Sequence, residues 1–155
     1  MAHSPLSPVS ASASEDAQPT PFLHLDFAPL DNDHAEFVQL VDKLSSAEKS
    51  EFVQIFSELC AHTEAHFQRE EALMKLSRFP AEKEHLSDHR RVLGELHRFR
   101  VKVTAGRTML ARAYVSDSLP GWLKLHVDNM DAALVAHVKG QLPGELQQQL
   151  AKMGS

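Results

Sequence analysis

In the stretch HTEAHFQREEALM, residues 62–74, an imidazole and a carboxylate stand one helical turn apart among apolar neighbours. His66 and Glu70, at i and i+4, share a helix face, the spacing at which a helix can offer two ligands to one metal centre. The surrounding stripe of Phe52, Ile55, Phe56, Leu59, Leu73 and Met74 puts the pair at inward positions, because Leu59, His66 and Leu73 follow one another at seven-residue intervals. Two ionisable groups on an apolar stripe need partners. A hydrogen-bonded couple and a metal grip are both open until the other helices are read.

Three further segments repeat the theme. A first helix is expected over residues 31–44, with Asp31 as its N-cap; Phe37, Val38, Val41 and Leu44 face inward, and His34 lies one turn before Phe37 on that stripe. The second helix, which holds the opening pair, should span residues 47–77 and end at Arg78, Phe79 and Pro80. In the third, residues 81–105, Val92, Leu96, Phe99 and Val103 mark the buried face, His85 and His89 extend it, and Gly106 occupies a C-terminal position that favours glycine. The fourth should cover residues 107–138, with a kink or break at Pro120 and Gly121. There Leu123, His126, Met130 and Leu134 line one face, whereas Asp131, about 140° round an ideal helix from His126, should share the helix end but not the stripe. No strand pattern competes. The fold class is therefore all-α, an up-down-up-down four-helix bundle.

Residues 1–21 are rich in Ser, Ala and Pro without periodicity and read as a disordered arm, residues 22–140 as the folded domain, and residues 141–155 as a tail with a short frayed helix. The apolar lead-in at residues 22–30, which contains His24, is expected to lie extended across the bundle. A formal net charge of −5 without a basic cluster argues against nucleic acid or an anionic membrane as partner. No run approaches the roughly 18 uncharged apolar residues of a membrane span. The start lacks a secretory pattern and Cys60 is the single cysteine, so a reducing, cytoplasmic setting is expected, with Cys60 as a small buried apolar residue.

The inward polar residues form a set spread over all four helices: His34; His66 and Glu70; His85 and His89; His126 and Asp131. Five imidazoles and two carboxylates would be ruinous in a core with nothing to bind, and seven ligands are too many for one tetrahedral zinc. Imidazoles with carboxylates suit iron, copper or manganese, and a dinuclear centre bridged by Glu70 and Asp131 uses the whole set. The Glu-x-x-His motifs of ferritin-like bundles do not occur at these inward positions.

These residues resemble the haemerythrin family, its bacterial members above all. The resemblance runs from about residue 31 to residue 134. Its motifs are D-x-x-H at Asp31 to His34, H-F-x-x-E-E-x-x-M at His66 to Met74, H-x-x-x-H at His85 to His89, and W-L-x-x-H-x-x-x-x-D at Trp122 to Asp131. It implies a haemerythrin-like bundle holding two non-haem iron ions with a bridging oxo or hydroxo group. His85, His89 and His126 would bind the first iron, His34 and His66 the second, and Glu70 and Asp131 would bridge them, leaving one position open for O2. It further implies that Phe37, Phe67, Trp122, Leu123 and Val127 wall the O2 pocket, where an apolar lining limits hydrolysis and autoxidation; ordinary core packing is the alternative for each.

The expected function is reversible O2 binding in storage, delivery or sensing, without catalysis. With no output domain in the sequence, storage or delivery is favoured, or sensing through a separate protein partner that the Ser/Ala/Pro arm could contact. A di-iron enzyme acting on peroxide, nitric oxide or ferrous iron is the alternative, and it would need a proton route to the open iron. His62 is either an outer hydrogen-bond partner of the centre or a plain helix-face residue. His97 and His137 are assigned to the surface or the bundle end.

Overall fold

A computed structural model of the chain describes residues 23–141 together with Gly144, Gln148 and Lys152. The proposed arm and most of the proposed tail lie outside the described residues. Helix α1, Ala28–Ser46, starts three residues before the expected boundary. Pro29 in its first turn explains the early start, since a proline there gives up no intrahelical hydrogen bond. Asp31 is consequently not the N-cap. Its carboxylate lies inside the helix and reaches back to accept hydrogen bonds from the backbone N–H groups of Leu25 (2.7 Å) and Phe27 (3.0 Å). The lead-in is shorter than expected and not extended: residues 23–27 bend at Asp26, left-handed at φ 54°, and are anchored by buried Leu23 and Phe27, while Leu30 belongs to the helix.

Helix α2, Lys49–Ser77, is stopped by Arg78 in the left-handed conformation at φ 52°, its N–H bonded to the Lys75 carbonyl. Helix α3, Glu82–Thr104, closes on Gly106 at φ 84°. Gly106 N–H donates to the Val103 carbonyl (2.9 Å) and Arg107 N–H to the Lys102 carbonyl (2.9 Å), the paired bonds of a Schellman ending that a glycine accommodates without strain. The connections between these helices, residues 47–48 and 78–81, are short, as is residues 105–108 before the fourth helix. Consecutive helices are therefore antiparallel neighbours, and the fold is a four-helix bundle with no strand among the described residues.

The fourth helix departs most from expectation. Residues 109–141 form one continuous rod, unbroken at Pro120 and Gly121, in which α-helical segments Met109–Ala113, Leu119–His126 and Ala132–Gln141 alternate with π-helical turns at Tyr114–Ser118 and Val127–Asp131. The first π turn ends just ahead of Pro120, which falls in the first turn of the next α segment, where its missing N–H is tolerated. The second inserts an extra residue between His126 and Asp131. A π turn bonds i to i+5, which brings residues five apart onto one face. Asp131 therefore joins the His126 stripe that an ideal helix would have denied it.

Apolar side chains form two clusters. One includes Phe37, Phe52, Phe56, Phe67, Val92, Leu96, Leu123 and Val127; the other gathers Phe27, Leu30, Leu73, Met74, Leu134 and Val138. Along every helix the inward ionisable residues fall between the two, so a polar layer is sealed by hydrophobic packing above and below. No helix among the described residues is long and apolar enough to cross a membrane.

Candidate metal centre

All seven predicted ligand residues meet in that layer, and none is more than 6% exposed. They fall into two groups whose potential ligand atoms lie within 4.8 Å of one another: Glu70, His85, His89 and His126; and His34, His66, Glu70 and Asp131. Glu70 belongs to both groups, and Asp131, a member of the second, also reaches two histidines of the first. Glu70 Oε1 lies 2.7 Å from His66 Nε2, while its Oε2 lies 2.9 Å from His85 Nε2 and 2.8 Å from His89 Nε2. Asp131 Oδ2 is 2.9 Å from His34 Nε2, while Oδ1 is 3.0 Å from His126 Nε2 and 3.1 Å from His85 Nε2. Every histidine thus presents Nε2 to the centre.

These close approaches are not a satisfied hydrogen-bond network. Both Glu70 oxygens, Asp131 Oδ1 and His89 Nε2 are buried without a properly directed partner, although nitrogens and oxygens lie within 3 Å of them. His85 Nε2 and His126 Nε2 are only 3.1 Å apart, a contact that places one lone pair against another unless a proton or a cation intervenes. The atoms converge on common points rather than on one another. Buried polar groups left in this way are costly, and a cation at each point would satisfy them. The donor set therefore fits two metal ions of the kind that accept imidazole and carboxylate together.

Behind the centre, two aspartates that the sequence reading passed over hold the imidazoles from outside. His66 Nδ1–H donates to Asp33 Oδ2 (2.8 Å), and Asp33 is gripped in turn by Arg69 through Nε (2.8 Å) and Nη2 (2.6 Å). His126 Nδ1–H donates to Asp88 Oδ2 (2.7 Å), which also accepts from Trp122 Nε1 (3.0 Å), while Asp88 Oδ1 accepts from Arg91 (3.0 Å). With its Nδ1 proton engaged, each imidazole turns Nε2 inward, the nitrogen a metal would take in place of a proton. Both aspartates immediately precede a predicted ligand, in Asp33–His34 and Asp88–His89. That repeated Asp-His step was the available signal. Each aspartate serves the neighbouring helix rather than the adjacent histidine, so sequence proximity alone would have paired it wrongly.

The electrostatics follow from this packing. Burial alone would lower the basicity of His66 and His126, but Glu70, Asp33 and Asp131 carry His66 up to about 10, and Asp131, Glu70 and Asp88 crowd His126, which rises to about 11. Against the same burial, the facing histidines hold Glu70 and Asp131 well below the ordinary carboxylate range. His89 moves the other way, lowered by burial despite Glu70. Without metal, the centre therefore gathers protons where cations would sit.

Phe67 stacks on His89 at 3.7 Å between ring centroids and an interplanar angle of 7°, and Trp122 stacks on His126 at 4.9 Å and 27°. Phe37 reaches the Trp122 ring at 6.4 Å, and Leu123 and Val127 are buried in the adjoining apolar cluster. His62 approaches neither group of ligands: its Nε2–H donates to the Asp33 backbone carbonyl (2.9 Å). His97 is exposed, and half-buried His137 donates to the Ser77 carbonyl (2.7 Å) across the end of α2. Cys60 is buried, which pushes its thiol up to about 11, and serves as core.

The profile of the family described as Hemerythrin, "Hemerythrin HHE cation binding domain", matches residues 26–138. A curated protein of Ralstonia nicotianae (strain ATCC BAA-1114 / GMI1000), named Bacteriohemerythrin, is 37% identical over 109 residues, which cover 70% of this chain and 79% of that protein. No solved structure matches.

Proposed function

Since the chain belongs to the haemerythrin family, we propose that it is a non-haem di-iron protein that binds O2 reversibly rather than turning it over. The observation that carries this reading is the division of Glu70 and Asp131, each with one oxygen toward the three-imidazole group and one toward the two-imidazole group. His85, His89 and His126 would hold one iron, His34 and His66 the other, and the two carboxylates would bridge them beside an oxo or hydroxo group. The two-imidazole side has one protein donor fewer, and O2 would be taken up on that side.

When bound, two ferrous ions would supply the two electrons that O2 takes up on binding and gives back on release. The chain's part is to fix geometry and exclude water. Asp33 and Asp88 keep protons on the outer nitrogens of His66 and His126, so that the inner nitrogens stay free to coordinate. Phe67 and Trp122 shield the imidazoles they stack on, and the buried layer restricts the water that would drive autoxidation. Storage or delivery in the cytoplasm is the role we favour.

The test is an optical titration of the reduced, iron-loaded protein. Aeration should produce an oxygen-to-iron charge-transfer band, and removal of O2 should abolish it over repeated cycles. A band that never appears, or sustained consumption of peroxide or nitric oxide by the same preparation, would replace O2 binding with another chemistry.

A further inference from the structure

Between α3 and the fourth helix lies a groove of about 790 Å³, within the size range of small-molecule sites, roughly 300–1,000 Å³. We infer that this groove is an effector site for a small aromatic anion, such as a nucleoside monophosphate, and that its occupancy is communicated to the metal centre through Asp88. The coupling half of the inference rests on the di-iron reading above; the binding half does not.

On α3, Arg91, Glu95, Arg98 and Lys102 form one stripe at spacings of four, three and four residues, and Arg107 closes the groove from the following turn. In a chain of net charge −5, four cations against two carboxylates, Glu95 and the Asp88 paired with Arg91, reverse the local sign and attract an anion. Arg91 is engaged with Asp88 and Glu95, but Arg98, Lys102 and Arg107 make no salt bridge among the described residues. They are the cations free to meet a ligand's phosphate or carboxylate.

Aromatic rings from both walls, Phe99 of α3 and Tyr114 and Trp122 of the fourth helix, line the groove. Tyr114 stacks on Phe99 at 4.6 Å and 30°, its hydroxyl held by Glu95 (2.8 Å), and Trp122 continues the aromatic surface. A planar ring can lie on that surface with its anionic group toward the arginines. Tyr114 and Ser118, the two ends of the first π turn, both line the groove. The metal centre makes no use of that turn, and π turns recur at functional sites.

The link to the centre is direct. Asp88, the carboxylate that holds His126, is bonded by two groove-lining side chains: Arg91 on one oxygen and the Trp122 indole on the other. Trp122 also stacks on His126. An anion that draws Arg91 toward the groove leaves Asp88 with fewer competing donors, and so alters its hold on His126. Linkage makes the effect reciprocal: the ligand changes iron affinity, and iron changes ligand affinity.

The experiment is calorimetry of the full chain, with and without iron, against adenosine 5′-monophosphate, adenosine and inorganic phosphate, accompanied by iron counting and the visible spectrum. The monophosphate should bind, with adenosine and phosphate each at least about tenfold weaker; Arg98→Glu or Lys102→Glu should weaken it at least about tenfold while iron content is unchanged. In the two-iron protein, saturation should shift the charge-transfer band. Absence of binding, phosphate alone binding as tightly, or indifference to charge reversal would overturn the site. A saturated groove with an unmoved band in two-iron protein would overturn the coupling. Fewer than two irons would instead count against the di-iron reading, and the iron-free titrations would still decide the groove.

Discussion

On one side of the centre, Asp33 holds His66 and is itself clamped by both nitrogen positions of Arg69; on the other, Asp88 holds His126 while dividing its oxygens between Arg91 and Trp122. The first carboxylate is 3% exposed and the second 18%. The same device, an aspartate one residue before one of the clustered histidines and bonded to another on the next helix, is therefore locked in the two-imidazole half and adjustable in the three-imidazole half. The half with fewer protein donors has the more rigid outer support. The half with a full complement of imidazoles is the one connected to a surface groove.

Substitutions can break this comparison, beginning where both halves depend on one residue. Glu70→Ala removes an oxygen from each group, so iron analysis should fall from two per chain to one or none; two retained irons would contradict the shared-carboxylate assignment. The outer aspartates should then separate the halves. Loss of such a partner costs roughly 10–100-fold in metal affinity. Asp33→Ala, which also strands the Arg69 guanidinium, should fall near the upper end of that range and Asp88→Ala near the lower, as read by competitive chelation. Equal losses would show that the locking by Arg69 is immaterial.

Acidity sharpens the picture in the iron-free chain. The histidines raised from 6.5, His66 to about 10 and His126 to about 11, stabilise the fold fully below 6.5, and that contribution is lost as pH rises through those values. The depressed carboxylates Asp33, Glu70, Asp88 and Asp131 contribute fully above their ordinary values of 3.8 to 4.5 and lose their effect as pH falls. The two windows overlap between 4.5 and 6.5, and because the lowered His89 loses its contribution as pH falls below 6.5, the melting temperature of the iron-free chain should peak toward the upper end of that range before declining toward pH 10. Iron binding requires neutral imidazoles and so releases protons; the loaded protein should hold its melting temperature across that decline. The smallest effect on iron content belongs to Leu123→Ala. It should keep two irons, cost about 2–4 kcal/mol of stability through a cavity, and hasten autoxidation measured by decay of the charge-transfer band.

Much of this arrangement was legible because helical periodicity reports which face of each segment is buried. His34, His66, Glu70, His85, His89 and His126 all lay on apolar stripes, and the structure brings them to one layer. Asp131 was the exception. Ideal geometry placed it off the stripe, and only a π turn, which no periodicity rule anticipates, carries it inward. Pro120 misled for a related reason, since the first π turn lets the proline enter as the start of a new α segment. Asp31 looked like a cap because it is the right residue type beside a helix, yet Pro29 had already started the helix. Asp33 and Asp88 were passed over because their partners lie 33 and 38 residues away, across helix interfaces that no local pattern encodes.

Whether the centre is dinuclear with two unlike halves is decided by Mössbauer spectroscopy of protein loaded with isotopically enriched iron, after admission of O2. Two quadrupole doublets of equal area are predicted, one from the three-imidazole half and one from the two-imidazole half. A spectrum with one doublet, or with markedly unequal areas at full iron loading, would contradict the assignment.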